Sequence, residues 1–314
     1  MPLILARDSR RGADFAHYHG GMGSARMQIL ESDNAVGTAF SLGAMVATWQ
    51  PRSHHPILWV SDPVTTAEYP DRGGIPICFP WFGSGPTGDR RPNHGLVRGA
   101  QWEVLRAEDG QVRYRINSED VSADAGAPNS SVGAASFTGE DGSDRWQAQL
   151  DATFGESLVV SLAVTNTGSA PFTFEAALHT YIAVSDAQEV TITGLERDPY
   201  VDTTVTPARH VTPSLNQPPV SFGQRVDRIY TSSADVWVRD EQWQRAIKAS
   251  KTGSANTVVW NPGEQLGATM SGIGPGRWRE FVCVEAANCR DQAVTIEPGR
   301  THVMTQTLQV ESLH

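Results

Sequence analysis

The chain has 314 residues and carries 25 Lys and Arg against 35 Asp and Glu, a formal net charge of −10. That balance excludes nucleic acid and anionic membrane surfaces as principal partners, because both demand a cationic footprint. It still admits a small anion, since two or three arginines in a focused cleft outweigh a distant net charge.

At the amino terminus, MPLILARDSRRG has an apolar run too short for a signal peptide, and charge follows at once. Nothing downstream approaches the ~20 apolar residues of a membrane helix, so the expected location is the cytoplasm. Cys78, Cys283 and Cys289 form no CxxC pair and read as reduced thiols. HYH places His17 and His19 on one strand face, whereas His54 and His55 in SHHP would point to opposite faces. A structural zinc site wants four ligands, and no Cys or carboxylate spacing completes either set, so no metal is expected.

Short runs rich in Val, Thr, Trp and Tyr, punctuated by Gly, Pro, Asn and Asp, then dominate. They fall at 43–51, 101–107, 111–117, 156–168, 189–195, 234–240, 256–263, 280–288, 293–299 and 302–310. Few windows hold a helical apolar period for ten residues. The pattern predicts an all-β chain, 1–314 as one domain of packed sheets, with surface loops at 121–143 and 207–221. GSGPTG at 83–88 matches G-x-G-x-x-G, but Pro86 and Pro92 deny the helix that a dinucleotide site needs.

Four segments carry candidate chemistry. RGGIPICFPWFG (72–83) opens with Arg72 and supplies Ile75, Ile77, Phe79, Trp81 and Phe82, which must be buried or must line a pocket. NHGLVR (93–98) adds His94 and Arg98, and two arginines beside glycine-rich backbone suit a phosphate or carboxylate as well as they suit solvent. In EAALHTYIAVSD (175–186), period two puts Ala177, His179, Tyr181 and Ala183 on one face. In FVCVEAANC (281–289) it puts Glu285 with Phe281 and Cys283. A carboxylate in such a strand costs desolvation unless it is paired or used. One His and one Glu embedded in apolar strands fit a general acid/base pair, and fit equally two unrelated buried polar residues.

Taken together, DRGGIPICFPWFG (71–83), NHGLVRGAQW (93–102), LAVTNTG (162–168), FEAALHTYIAVSD (174–186), VDRIY (226–230), VVWNPG (258–263) and FVCVEAANC (281–289) resemble the hexose-6-phosphate mutarotases of the aldose 1-epimerase superfamily. The segments come in that family's order and span most of the chain. The resemblance implies a large β-sandwich of the galactose-mutarotase type. It implies His179 as general acid, Glu285 as general base, and Arg72 and Arg98 as a clamp on the sugar phosphate. Asn93, His94 and Asp227 fall where the family contacts sugar hydroxyls, with Asp202 a rival for the last role. It further implies a cytoplasmic, monomeric isomerase acting on a sugar phosphate, with no cofactor, nucleic acid or membrane partner. Leu96-Val97 and Gly263 depart from the family, which often has an aromatic and a Trp there, and bear on the pocket rim. Two other readings stay open: a mutarotase for unphosphorylated aldoses, and a carbohydrate-binding module that kept the fold without turnover. A glycoside hydrolase fits less well, since it would set two carboxylates about one bond.

Overall fold

A computed structural model of the chain describes residues 26–61, 69–121, 145–214 and 217–313. His17, His19 and nearly all of the loop read at 121–143 lie outside the described residues.

Strict alternation of side chains builds the first large sheet. Ser157–Asn166 and Trp146–Phe154 bury every second residue, so one face packs inward and the other meets water. Eight antiparallel strands run in the order Thr191–Thr193, Val236–Asp240, Arg245–Thr252, Thr301–Ser312, Ser157–Asn166, Trp146–Phe154, Gln111–Asn117, Glu103–Glu108.

The second eight-stranded sheet runs Arg209–Val211, Tyr200–Asp202, Val226–Thr231, Asn256–Asn261, Phe281–Asn288, Ala176–Leu178, Ile77–Cys78, and Tyr181–Ala183 also pairs with Phe281–Asn288. Here alternation vanishes: all eight residues of Phe281–Asn288 are buried. One face of this sheet joins the main core, where Leu178, Val282, Val284 and Ala286 meet Leu162, Val164, Met304 and Leu308 of the first sheet. Burying each such large aliphatic is worth about 1.5–3 kcal/mol. The opposite face carries a smaller apolar cluster of Cys78, Ala177, Ile229, Val258, Ala287 and Cys289, with Phe82 and Trp260 against it. The molecule is therefore an all-β sandwich whose second sheet is covered on both sides, by core on one and by cleft walls on the other.

Propensity misses some strands. WQAQLDATF and RAIKASKT form Trp146–Phe154 and Arg245–Thr252 although Gln, Asp, Ala and Lys fill their outer faces. The stretch 207–221 is not wholly loop either, since Arg209–Val211 adds an edge strand to the second sheet. Gly263–Thr269 is the one α-helix among the described residues, and none of their helices is long and apolar enough to cross a membrane.

Candidate active site

The registers of Ala176–Leu178 and Tyr181–Ala183 against Phe281–Asn288 are continuous, with Leu178 opposite Ala286 and Tyr181 opposite Cys283. His179 therefore stands directly across from Glu285. Their side chains share the cleft face, and His179 Nδ1 lies 3.5 Å from Glu285 Oε1. Both residues are buried, at 7% and 1% exposure. Neither His179 Nδ1 nor Glu285 Oε2 has a hydrogen-bond partner among the described residues. The imidazole is fixed by stacking on Tyr181 at a 4.8 Å centroid distance, with Trp260 edge-on at 6.0 Å.

Burial acts on the two groups in opposite senses. Desolvation, followed by the field of Asp227, raises the Glu285 carboxyl well above its ordinary range, against a smaller lowering by Arg98. Desolvation also lowers His179 well below 6.5, helped by His94, Arg98 and Arg72. Each group is pushed toward its uncharged form.

The pair sits in a cleft of about 870 Å³. Arg72, His94, Tyr181, Asp227 and Trp260 line it beside His179 and Glu285. His94 adopts a left-handed backbone at φ 69°, rare for a residue with a Cβ. Its Nδ1 accepts the Gly83 N–H at 3.2 Å and faces Cys78 Sγ at 3.3 Å. Because an amide can only donate, the neutral ring must carry its proton on Nε2. Burial, then Arg98 and Arg72, holds its pKa down to about 3, so it remains a neutral donor at physiological pH. Its ring meets that of His179 edge-on at 5.5 Å.

Arg72 is held from two sides, donating through Nε to the Ser271 carbonyl at 2.9 Å and through Nη1 to the Tyr181 hydroxyl at 3.4 Å. Among the described residues no partner beyond these is seen for the Arg72 guanidinium, which leaves N–H groups that can meet an anion. Arg98 lies elsewhere, on the one-turn 3-10 segment Val97–Gly99, and lines an adjoining recess of about 280 Å³. Asn93 lines that recess too, with its side chain accepting from Ser84. Arg72 belongs to both cavities and forms the wall between them. Asp227 borders the main cleft, paired with Arg225 at 2.9 Å. Asp202 does not line it; its carboxylate is taken up by Thr204 and Arg209. Leu96 and Val97 are buried, and Gly263 packs on the Arg225 backbone, so the family departures lie behind the walls rather than on the rim.

The glycines of GSGPTG lead into no helix, and the turn forms part of the cleft rim. Among the described residues no cluster of three or more His, Cys, Asp or Glu could hold a metal, and His55 instead stacks on Trp243 at 4.6 Å.

Glu175 is a cleft residue that the sequence reading leaves without a role. Its buried carboxylate accepts the Phe82 N–H at 3.0 Å and the Arg290 N–H at 2.5 Å, and so ties two walls together. The only signal was a lone Glu at the head of an apolar run. Glu175→Ala is expected to lower stability by about 1–3 kcal/mol, because two part-buried backbone N–H groups lose their charge-assisted partner. Urea unfolding measures this, and an unchanged midpoint would mean that other contacts hold the walls.

With this geometry in view, comparison with known proteins is informative. The sequence model of a family described as aldose 1-epimerase matches residues 28–309. A protein of Escherichia coli K12 is 28% identical over 267 residues, covering 83% of this chain and 83% of its own length. One from Salmonella typhimurium LT2 is 29% identical over 282 residues, covering 88% and 87%. A plant relative from Cenchrus ciliaris is 25% identical over 284 residues, covering 88% and 82%. All three bear the name "Putative glucose-6-phosphate 1-epimerase". Among solved structures, a mutarotase-named protein from Salmonella typhimurium superposes with a TM-score of 0.74 at 23% identity, over 93% of this chain and 92% of its own. A galactose mutarotase-like protein from Lactobacillus casei gives 0.68 at 14% identity, over 91% and 100%. At those identities the likeness establishes the fold.

Proposed function

The chain belongs to the aldose 1-epimerase family, and from that premise we propose that it interconverts the α and β anomers of a hexose 6-phosphate, glucose 6-phosphate first among them. The observation that carries the reading is the buried His179–Glu285 pair, set 3.5 Å apart on adjacent strands at the floor of a cleft walled by an arginine. Anomerisation moves two protons on oxygens that share one carbon, so two groups 3.5 Å apart that face one cleft suit it. Glu285 takes the proton from the C1 hydroxyl while His179 protonates the ring oxygen. The ring opens and the carbonyl turns. As it closes on the other face, Glu285 gives its proton back to the C1 oxygen while neutral His179 takes its proton back from the attacking hydroxyl. Each contributes about 10²–10⁴-fold.

His94, as a neutral Nε2–H donor, is read as a partner for a sugar oxygen, and Asp227 and Asn93 as hydroxyl contacts. The phosphate is assigned to the mouth shared by cleft and recess, where Arg72 and Arg98 approach it from two sides. Burial is the main cause that holds His179 deprotonated. The negative charge arriving at that mouth offsets the smaller contribution of Arg98 and Arg72, so substrate binding shifts His179 toward the imidazolium that the first step needs. On this reading the chain acts as one domain, a cytoplasmic monomer that needs no cofactor.

Anomer exchange followed by NMR, with glucose 6-phosphate and glucose at equal enzyme concentration, tests the proposal. Fast exchange of the phosphate alone is expected. Equal exchange of both would keep the chemistry and move the substrate class to free aldoses. Binding of sugar phosphates without exchange would leave a carbohydrate-binding module. Arg98→Ala is expected to raise KM for the sugar phosphate at least about tenfold, on the scale of one charge-assisted contact. The same rise for the free sugar would remove Arg98 from the phosphate site.

A further inference from the structure

Gln306 lies on the opposite sheet, in Thr301–Ser312, in an inward slot between Met304 and Leu308, and all three are buried. Alternation calls for an apolar residue there, because a buried amide costs free energy unless both of its ends are bonded. Both ends are bonded. Thr180 Oγ1 donates to Gln306 Oε1 at 2.5 Å, and Gln306 Nε2 donates to the Val284 carbonyl at 2.9 Å. Since a carbonyl only accepts, the orientation of the amide follows from its partners.

A break in the sheet explains why an amide is needed. Thr180 and Val284 face each other one position along from His179 and Glu285. A hydrogen-bonded antiparallel pair exchanges two backbone bonds. Val284 N–H does donate to the Thr180 carbonyl at 3.1 Å, but Thr180 N–H turns back to the Leu178 carbonyl at 3.0 Å. The result is a three-residue turn with His179 at its centre. The His179 N–H, pointing to the other side, keeps the register with the Ile77–Cys78 strand by donating to the Pro76 carbonyl at 3.0 Å. This turn diverts the Thr180 N–H and leaves the Val284 carbonyl without its ladder donor. Gln306 supplies that donor from across the sandwich, and its other end holds the Thr180 side chain.

We propose that Gln306 is a positioning residue for the acid–base pair: it stabilises the turn at His179 and so sets the approach of His179 to Glu285. The inference rests on the function proposed above. It touches neither substrate nor the reacting atoms.

Gln306→Met fills the slot with a side chain of similar length and makes neither bond. The expected result is a fall in kcat of about tenfold or more with KM within about twofold, since displacements near 1 Å cost up to ~100-fold while the arginines are untouched. Thr180→Val should act in the same direction, and Thr180→Ser, which keeps the hydroxyl, should recover most of that loss. It also provides the test if Gln306→Met does not fold. The imidazole NMR signals of His179, assigned by comparison with His179→Asn, give a readout independent of turnover and should shift in both Gln306→Met and Thr180→Val. If the wild-type protein exchanges no sugar phosphate, the proposed function fails, while the His179 signals still report on Gln306. A folded Gln306→Met with wild-type His179 signals, or with wild-type kcat, overturns the inference.

Discussion

Glu285→Gln is expected to slow enzymatic anomer exchange by at least about 100-fold while the protein stays folded. The amide matches the carboxylate in shape but cannot accept the proton from the C1 hydroxyl. Stability should hold or rise, since a residue at 1% exposure whose burial disfavours charge loses an ionisable group and gains a neutral one. The residual rate should depend on pH in a definite sense. With Glu285 gone, His179 acts alone as acid and works only when protonated. Its pKa is depressed, so residual activity should climb as pH falls below 6.5. NMR exchange, corrected for spontaneous mutarotation, together with thermal unfolding makes the measurement. Turnover within a few-fold of wild type in a folded variant would take Glu285 out of the reaction.

Two features of the site were legible in the sequence for different reasons. Period two places His179 and Glu285 on apolar strands, and a titratable group in such a strand is visible because it breaks the pattern. What periodicity could not show is that the two strands pair in a register that sets these residues opposite each other. Register is a long-range property, here spanning about a hundred residues of intervening chain. The resemblance supplied the pairing of roles, and the geometry makes that pairing physically sensible. Arg72 and Arg98 were legible as charges but not as occupants of two cavities with one shared wall. Glu175 and Gln306 were not legible as parts of the site. Both work by satisfying backbone groups that local irregularities leave unpaired, and no side-chain pattern announces a missing ladder bond. The fold class showed through strand count and turn chemistry, whereas strands with Gln, Lys and Asp on their outer faces escaped propensity.

Burial bears directly on how the pair would work. In the closed sugar the working state is Glu285 carboxylate with His179 imidazolium. After the ring opens, Glu285 holds the C1 proton and His179 has given its own away, so both are neutral. The environment favours that neutral state, raising the affinity of Glu285 for a proton and lowering that of His179. On the proposed roles, burial thus favours the proton arrangement of the open-chain intermediate, which is the species that free solution makes scarce. A single proton shared by the pair also means that the two pH limbs of wild-type activity belong to the pair, not to either residue.

His179→Asn separates these contributions. It is expected to cost at least about 100-fold, because the ring oxygen loses its acid. Wild-type kcat/KM should be bell-shaped, whereas the variant should keep only an acid limb. A general base is active when deprotonated and the Glu285 pKa is raised, so the variant's residual activity should be lost as pH falls through a value well above 4.5. A variant that retains both limbs would place the acid on another group, such as the Tyr181 phenol stacked on His179 at 4.8 Å or the His94 imidazole at 5.5 Å. His94 is a poor acid on the present geometry, since Gly83 holds its Nδ1 as an acceptor and its pKa lies at about 3. A retained alkaline limb would therefore overturn the assignment of His179 as the acid.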